Sequence, residues 1–118
     1  VIVNGSLGMS GGKIAAQAFH CGWRIAELPT HTYEENEFLE LEDALYEWEN
    51  QGRRVVVRVA KTQAIFDRVM EETKGVAQQD EGLTEVERGS ITAWVTIPYK
   101  RSEVPKILSN NKVQLYRG

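Results

Sequence analysis

The chain has 118 residues, 42% hydrophobic and 26% charged, with a formal net charge of −3, one cysteine and two histidines. This length fits one domain spanning residues 1–118, and the steady recurrence of Val, Ile, Leu, Phe and Trp excludes a disordered chain. The lone Cys21 excludes an intramolecular disulfide. One Cys and two His are too few for a zinc site of soft ligands, and no apolar run approaches the ~18 residues of a membrane span.

Val1–Val3 reads as a strand ending at the turn signal Asn4-Gly5. Val1 stands in mid-strand, so a few residues are expected upstream of it. No basic segment followed by an apolar one marks a signal peptide, so the expected setting is cytoplasmic. Gly5 to Gly12 is a glycine-rich loop, and a helix is expected from Gly11 or Gly12 to Glu27. Its buried stripe would be Ile14, Ala18, Cys21, Ile25 and Leu28, and Leu28, preceding Pro29, is expected to leave the helical region. A second helix covers Glu35 to Gln51, with Phe38, Leu41, Leu45 and Trp48 on one face and carboxylates on the other. Gly52 is its stop. Residues 34–49 carry eight acidic side chains and no Lys or Arg, while from Arg53 onward basic residues prevail. The expected role of the acidic run is a solvated helix face.

Arg53–Val59 is an expected strand, with Val55, Val57 and Val59 on one face. Thr62 is placed to cap a third helix reaching Lys74, with Ile65, Phe66, Val69 and Met70 as its apolar side and Gly75 as its end. Val76–Gln78 reads as a short strand leading into a polar loop, Gln79 to Ser90. Ile91–Ile97 alternates, with Ile91, Ala93, Val95 and Ile97 inward. A short helix or turn is expected around Arg101–Leu108, then an edge strand at Val113–Leu115. Strands interleaved with helices indicate an α/β fold. The expected form is a three-layer α/β/α arrangement with a mixed four- or five-stranded sheet.

The loop before the first helix lies where free backbone N–H groups and the helix dipole favour an anion. It is no Walker A loop: Leu7 stands where that motif needs glycine, and Ile14 where it needs Ser or Thr. Lys13, Gln17, His20 and Arg24 fall within about 60° of helical arc and form a polar stripe whose first residue adjoins the loop. Cys21 points about 100° from His20, against a Cys–His nucleophile pair. His31 falls between helices, where exposure is expected. Asp80-Glu81-Gly82-Leu83-Thr84-Glu85 sets carboxylates and a hydroxyl before a strand, a combination suited to proton transfer with water.

The run from Leu7 to His20, with Gly8-Met9, Gly12-Lys13, Ala15-Ala16-Gln17 and His20, resembles the signature of type 2 peptidyl-tRNA hydrolases. Trp48 and Gly52 before a valine strand, Asp80-Glu81-Gly82-Leu83-Thr84, and Gly89-Ser90-Ile91-Thr92 leading to Ile97-Pro98 resemble its later features in order. The resemblance implies a metal-independent hydrolase without a cofactor. Such an enzyme cleaves the ester between a peptide and the tRNA 3′ end and recycles stalled peptidyl-tRNA. It implies Lys13, His20, Asp80 and Thr84 as catalytic residues. With the loop and basic-residue readings, Ser10, Gly12, Gln17, Gly82 and Arg88 are the expected substrate contacts, joined by Lys100 and Arg101 along the tRNA backbone. The resemblance also allows a homodimer. The chain departs from the family pattern at Asn4-Gly5-Ser6 (usually Arg-x-Asp), Gly11, Phe19, Glu81, Leu83 and Glu85. These departures motivate an alternative expectation, a non-catalytic RNA- or protein-binding module on the same fold.

Overall fold

The computed structural model describes residues 1–28, 35–80 and 85–118, and for residues 35–38 the backbone alone. His31, the Phe38 side chain, and Glu81, Gly82, Leu83 and Thr84 lie outside the described residues. The elements are β1 (Ile2–Asn4), α1 (Gly11–Glu27), α2 (Glu35–Asn50), β2 (Arg58–Ala60), α3 (Gln63–Glu72), β3 (Gly75–Gln79), β4 (Ile91–Thr96) and β5 (Val113–Leu115). Short 3-10 turns occupy Gly5–Leu7, Arg101–Glu103 and Lys106–Ser109.

The five strands form one mixed sheet in the order β3-β4-β1-β2-β5. β1 and β2 are parallel, and every other pairing is antiparallel. Two apolar clusters cover its two faces, which makes three layers. Phe66, Val69 and Ile65 of α3 pack with Ile2, Ala60, Val113 and Ile107 on one side. Cys21, Ile25, Leu28 and Leu41 from α1 and α2 pack with Ala93 and Val95 on the other. Phe66 and Val69 are fully buried, and each side chain of this kind contributes about 1.5–3 kcal/mol.

Most expected elements are found, with four corrections. The strand expected at Arg53–Val59 is paired only over Arg58–Ala60. Arg58 is the first residue in register with both β1 (Ile2) and β5 (Leu115); Val56 and Val57 lend only their carbonyls, to the Val1 amino group and the Tyr116 N–H at 2.9 Å each, and Val55 is exposed. Gly52 (φ +96°) does end α2, joined by Arg53 in the left-handed region (φ +55°), whose N–H reaches the Trp48 carbonyl at 3.0 Å.

Helix α3 stops at Glu72, not at Lys74, and Gly75 opens β3 instead of ending the helix. Thr73 closes α3 by donating its hydroxyl to the Val69 carbonyl at 2.7 Å and accepting from Trp94 Nε1 at 2.8 Å. A Cβ on Gly75 would stand 2.1 Å from the Val95 carbonyl oxygen and 2.8 Å from the Trp94 indole nitrogen. Close approach of two strands requires this glycine, not helix termination.

Leu28 keeps helical dihedrals (φ −50°, ψ −42°) despite the following proline. It is buried beside Ile25 and Leu41, and packing outweighs the local preference.

The alternation along β4 breaks at Thr92. Gln78 pairs with Ala93 but Gln79 pairs with Ile91, so Thr92 is an extra residue, a β-bulge. Thr92 and Ala93 therefore both face α1, while Ile91 joins Trp94 against the α3 cluster. Ile91 was expected on the same face as Ala93.

Candidate active site

Topology brings the functional side chains to one end of the sheet. β4 is antiparallel to both β1 and β3, so β1 and β3 run the same way and their carboxyl ends share an edge. The loop after β1 starts α1, and the residue after β3 is Asp80. In α/β sheets this edge, beyond the carboxyl ends of parallel strands, is where ligands bind.

Ser10 caps α1. Its backbone is extended, and its hydroxyl accepts from the Lys13 N–H at 3.2 Å. The cap fixes Lys13 in the first turn, where the ammonium Nζ lies 2.5 Å from Asp80 Oδ1. Both side chains are nearly covered, at 11% and 6% relative exposure. The Asp80 backbone is held in turn: its N–H donates to the Ser90 carbonyl (2.8 Å) and its carbonyl accepts from the Gly89 N–H (2.7 Å). The backbone that carries the carboxylate is therefore fixed on both its polar groups.

The first half of the polar stripe of α1, Lys13 and Gln17, is covered, while His20 and Arg24 are exposed. Gln17 is buried (3% exposed), and its Oε1 accepts from Thr92 Oγ1 at 2.5 Å. Arg24 Nε donates to Gln78 Oε1 at 2.7 Å. His20 lies seven residues beyond Lys13, about 10 Å along the helix axis. It is exposed and edge-on to Phe19, with ring centroids 6.3 Å apart. The structure thus joins Lys13 to Asp80, ties Gln17 to the strand beneath, and places His20 in a groove farther along the same helix. Thr84 and Gly82 lie outside the described residues.

Ser10 has a second engagement. Its N–H donates to Glu85 Oε2 at 2.8 Å and its hydroxyl donates to Glu85 Oε1. These bonds, the hydroxyl's first and the N–H's second, hold the Glu85 carboxyl below the usual carboxylate range. A carboxylate of the chain itself therefore takes the Ser10 donors that were expected to meet a phosphate. Gly12 is exposed, with open space where a side chain would begin, so its backbone can be approached closely. Arg88 is exposed beside Gly89, whose φ of +88° shapes the turn under Asp80. Lys100 approaches Glu47 of α2 at 4.0 Å, both well exposed, a contact of little energetic weight.

Asn4-Gly5-Ser6 forms a neutral cluster at the same sheet end. Asn4 is buried, its Oδ1 accepting from the Ser6 hydroxyl (2.6 Å) and N–H (3.2 Å). Its Nδ2 donates to Gln63 Oε1 (2.8 Å) and to the Ile91 carbonyl (3.2 Å). The Asn4 amide is thus hydrogen-bonded through both its oxygen and its nitrogen, with no charge in the cluster.

Sequence reasoning quoted Thr92 in the resemblance without giving it a role, and gave none to Gln78 and Trp23. Thr92 interrupts an apolar strand, which alone is weak. Phe19 and Trp23, an i, i+4 aromatic pair off the buried stripe, were the stronger signal. Among the described residues no group of three or more His, Cys, Asp or Glu side chains is arranged for a metal ion, and no helix is long and apolar enough to cross a membrane.

The fold and this pair define a class: a three-layer α/β protein with an ammonium and a carboxylate joined where its first helix begins and an edge strand ends. The family model described as Peptidyl-tRNA hydrolase PTH2 matches residues 1–114. The chain belongs to that family, whose members act on peptidyl-tRNA.

Proposed function

We propose that this chain hydrolyses the ester between a peptide and the 3′ end of tRNA, with Lys13 and Asp80 as the reacting pair. The observation that carries this reading is the 2.5 Å contact between Lys13 Nζ and Asp80 Oδ1, in a chain of the peptidyl-tRNA hydrolase family. Asp80 orients a water and accepts its proton as the water oxygen bonds to the ester carbonyl carbon. The carbonyl oxygen takes up negative charge, and the Lys13 ammonium in the first turn of α1 stabilises it, aided by the positive helix end. The carbon–oxygen bond to ribose then breaks, and the proton passes from Asp80 to the departing ribose oxygen. Thr84, four residues past Asp80, holds the same water. Gln17 positions α1 through Thr92, and His20 contacts substrate.

Blocked aminoacyl-tRNA is the test substrate. Lys13→Ala and Asp80→Ala should each lower turnover at least about 10²-fold, the usual scale for one stabilising or proton-transferring group. Wild-type rates in both variants end the assignment.

The engagement of Ser10 by Glu85 favours a second reading, a non-catalytic RNA- or protein-binding module, because a resident carboxylate occupies the donors at the start of α1 where turnover would need the tRNA end to be seated. Salt-sensitive RNA binding with no product from the wild-type chain selects it.

A further inference from the structure

Beyond the Lys13–Asp80 pair, Phe19, His20, Trp23, Arg24, Glu27 and Gln78 line a groove of about 360 Å³ along α1. Phe19 is 71% exposed and Trp23 63% exposed, neighbours one helical turn apart. Neither belongs to the buried stripe, so core packing does not account for them. Their rings are nevertheless held. The Trp23 indole N–H donates to Glu27, and Phe19 meets the His20 ring at 70°, edge to face. Arg24 is anchored to Gln78, which also donates to the Gln79 carbonyl at 3.0 Å.

These observations describe ordered aromatic faces with a guanidinium beside them and hydrogen-bonding groups at the rim. An apolar peptide chain would favour an apolar pocket, whereas this rim carries an imidazole, a guanidinium, an amide and a carboxylate. Flat π-faces beside a cation match unpaired nucleobases on a phosphate backbone. The groove takes in His20 and Arg24 of the stripe that starts at Lys13, the nearer of them about 10 Å away along the helix, with Phe19 and Trp23 on its solvent side. An ester held at Lys13 and Asp80 sets the adjoining nucleotides over it.

We propose that Phe19 and Trp23 form a stacking platform for the unpaired bases at the 3′ end of the tRNA, with Arg24 beside it; this site rests on the hydrolase reading above. The probes are a four-nucleotide single-stranded RNA, the same backbone with abasic nucleotides, and a tetrapeptide of apolar residues. Binding is followed at equilibrium, independent of turnover. Phe19→Ala and Trp23→Ala should each weaken RNA binding at least about fivefold, the lower end for loss of one stacked base. Trp23→Phe should keep most of the affinity, and the abasic backbone should bind the wild type as weakly as the RNA binds the alanine variants. Unchanged RNA affinity in both alanine variants overturns the platform. So does a tetrapeptide that binds the wild type and loses affinity in those variants. Circular dichroism matching the wild type establishes that the variants fold. A wild-type chain that shows the stacking dependence yet releases no tRNA keeps the platform and removes the hydrolase reading. A chain that turns over with no such dependence does the reverse.

Discussion

Thr92 donates its hydroxyl to Gln17 Oε1 across 2.5 Å of buried space, tying the helix that carries Lys13 to the strand beside β3, which leads into Asp80. The bond exists because the β4 bulge turns Thr92 towards α1 together with Ala93. In regular alternation only one of two consecutive residues faces the helix. Removing the hydroxyl while keeping the shape isolates its effect. Thr92→Val should cost about 1–3 kcal/mol, since Gln17 is left with a buried acceptor lacking this donor. Denaturant unfolding measures that loss; a variant as stable as the wild type contradicts this role for the bond.

Two glycines should respond to alanine with opposite signs. Gly22 lies in the middle of α1 with open space around it, so Gly22→Ala should stabilise the chain by about 0.5–1 kcal/mol. Gly75→Ala drives a methyl into the Val95 carbonyl and should destabilise by about 2 kcal/mol or more. Thermal melts of the two variants check the pair, and equal shifts would contradict the strand-crossing role of Gly75.

The Glu85–Ser10 contact predicts a pH dependence. The Glu85 carboxyl is held below its ordinary range when folded, so its contribution is present above the unfolded value, near 4.3. It is lost as pH falls through the lowered folded value. The melting temperature of the wild type should exceed that of Glu85→Ala at pH 7, and the difference should shrink only in acid. A gap that stays constant to pH 2 speaks against the contact.

Cys21 predicts the opposite dependence. Burial pushes its thiol from 9.0 up to about 11. A folded value above the unfolded one makes the stabilisation complete below about pH 9 and lost as pH rises towards 11. Wild-type stability should therefore fall relative to Cys21→Ala across that alkaline window. A thiol-reactive dye should label the native chain slowly at pH 8 and the unfolded chain at once. Rapid native labelling would place the sulfur at the surface.

Local rules carried much of this fold. Thr62 caps α3 as its sequence position indicated, and the stripes of α1 and α3 follow helical spacing. What escaped was set by distant partners. The extent of β2 depends on where β1 and β5 offer register, and the facing of Ile91 depends on one inserted residue opposite Gln78 and Gln79. The site divided in the same way. Lys13 and Asp80 came from motif resemblance, and their contact joins residues 67 apart in sequence, which periodicity cannot reveal. Gln17 and Arg24 were placed correctly on one stripe, but the sheet beneath that stripe was not visible in helix spacing. Glu85 was noted in the Asp80–Glu85 segment and as a departure, but its bonds to Ser10 join residues 75 apart in sequence.

The central position of β1 has a consequence for biosynthesis. Its neighbours are residues 58–60 on one side and 91–96 on the other, so β1 lacks one flank until residues 91–96 have left the ribosome. Closing such wide loops costs chain entropy before any contact rewards it. A nascent chain halted short of residue 91 would carry the signature loop and α1 intact and still be unable to complete its sheet.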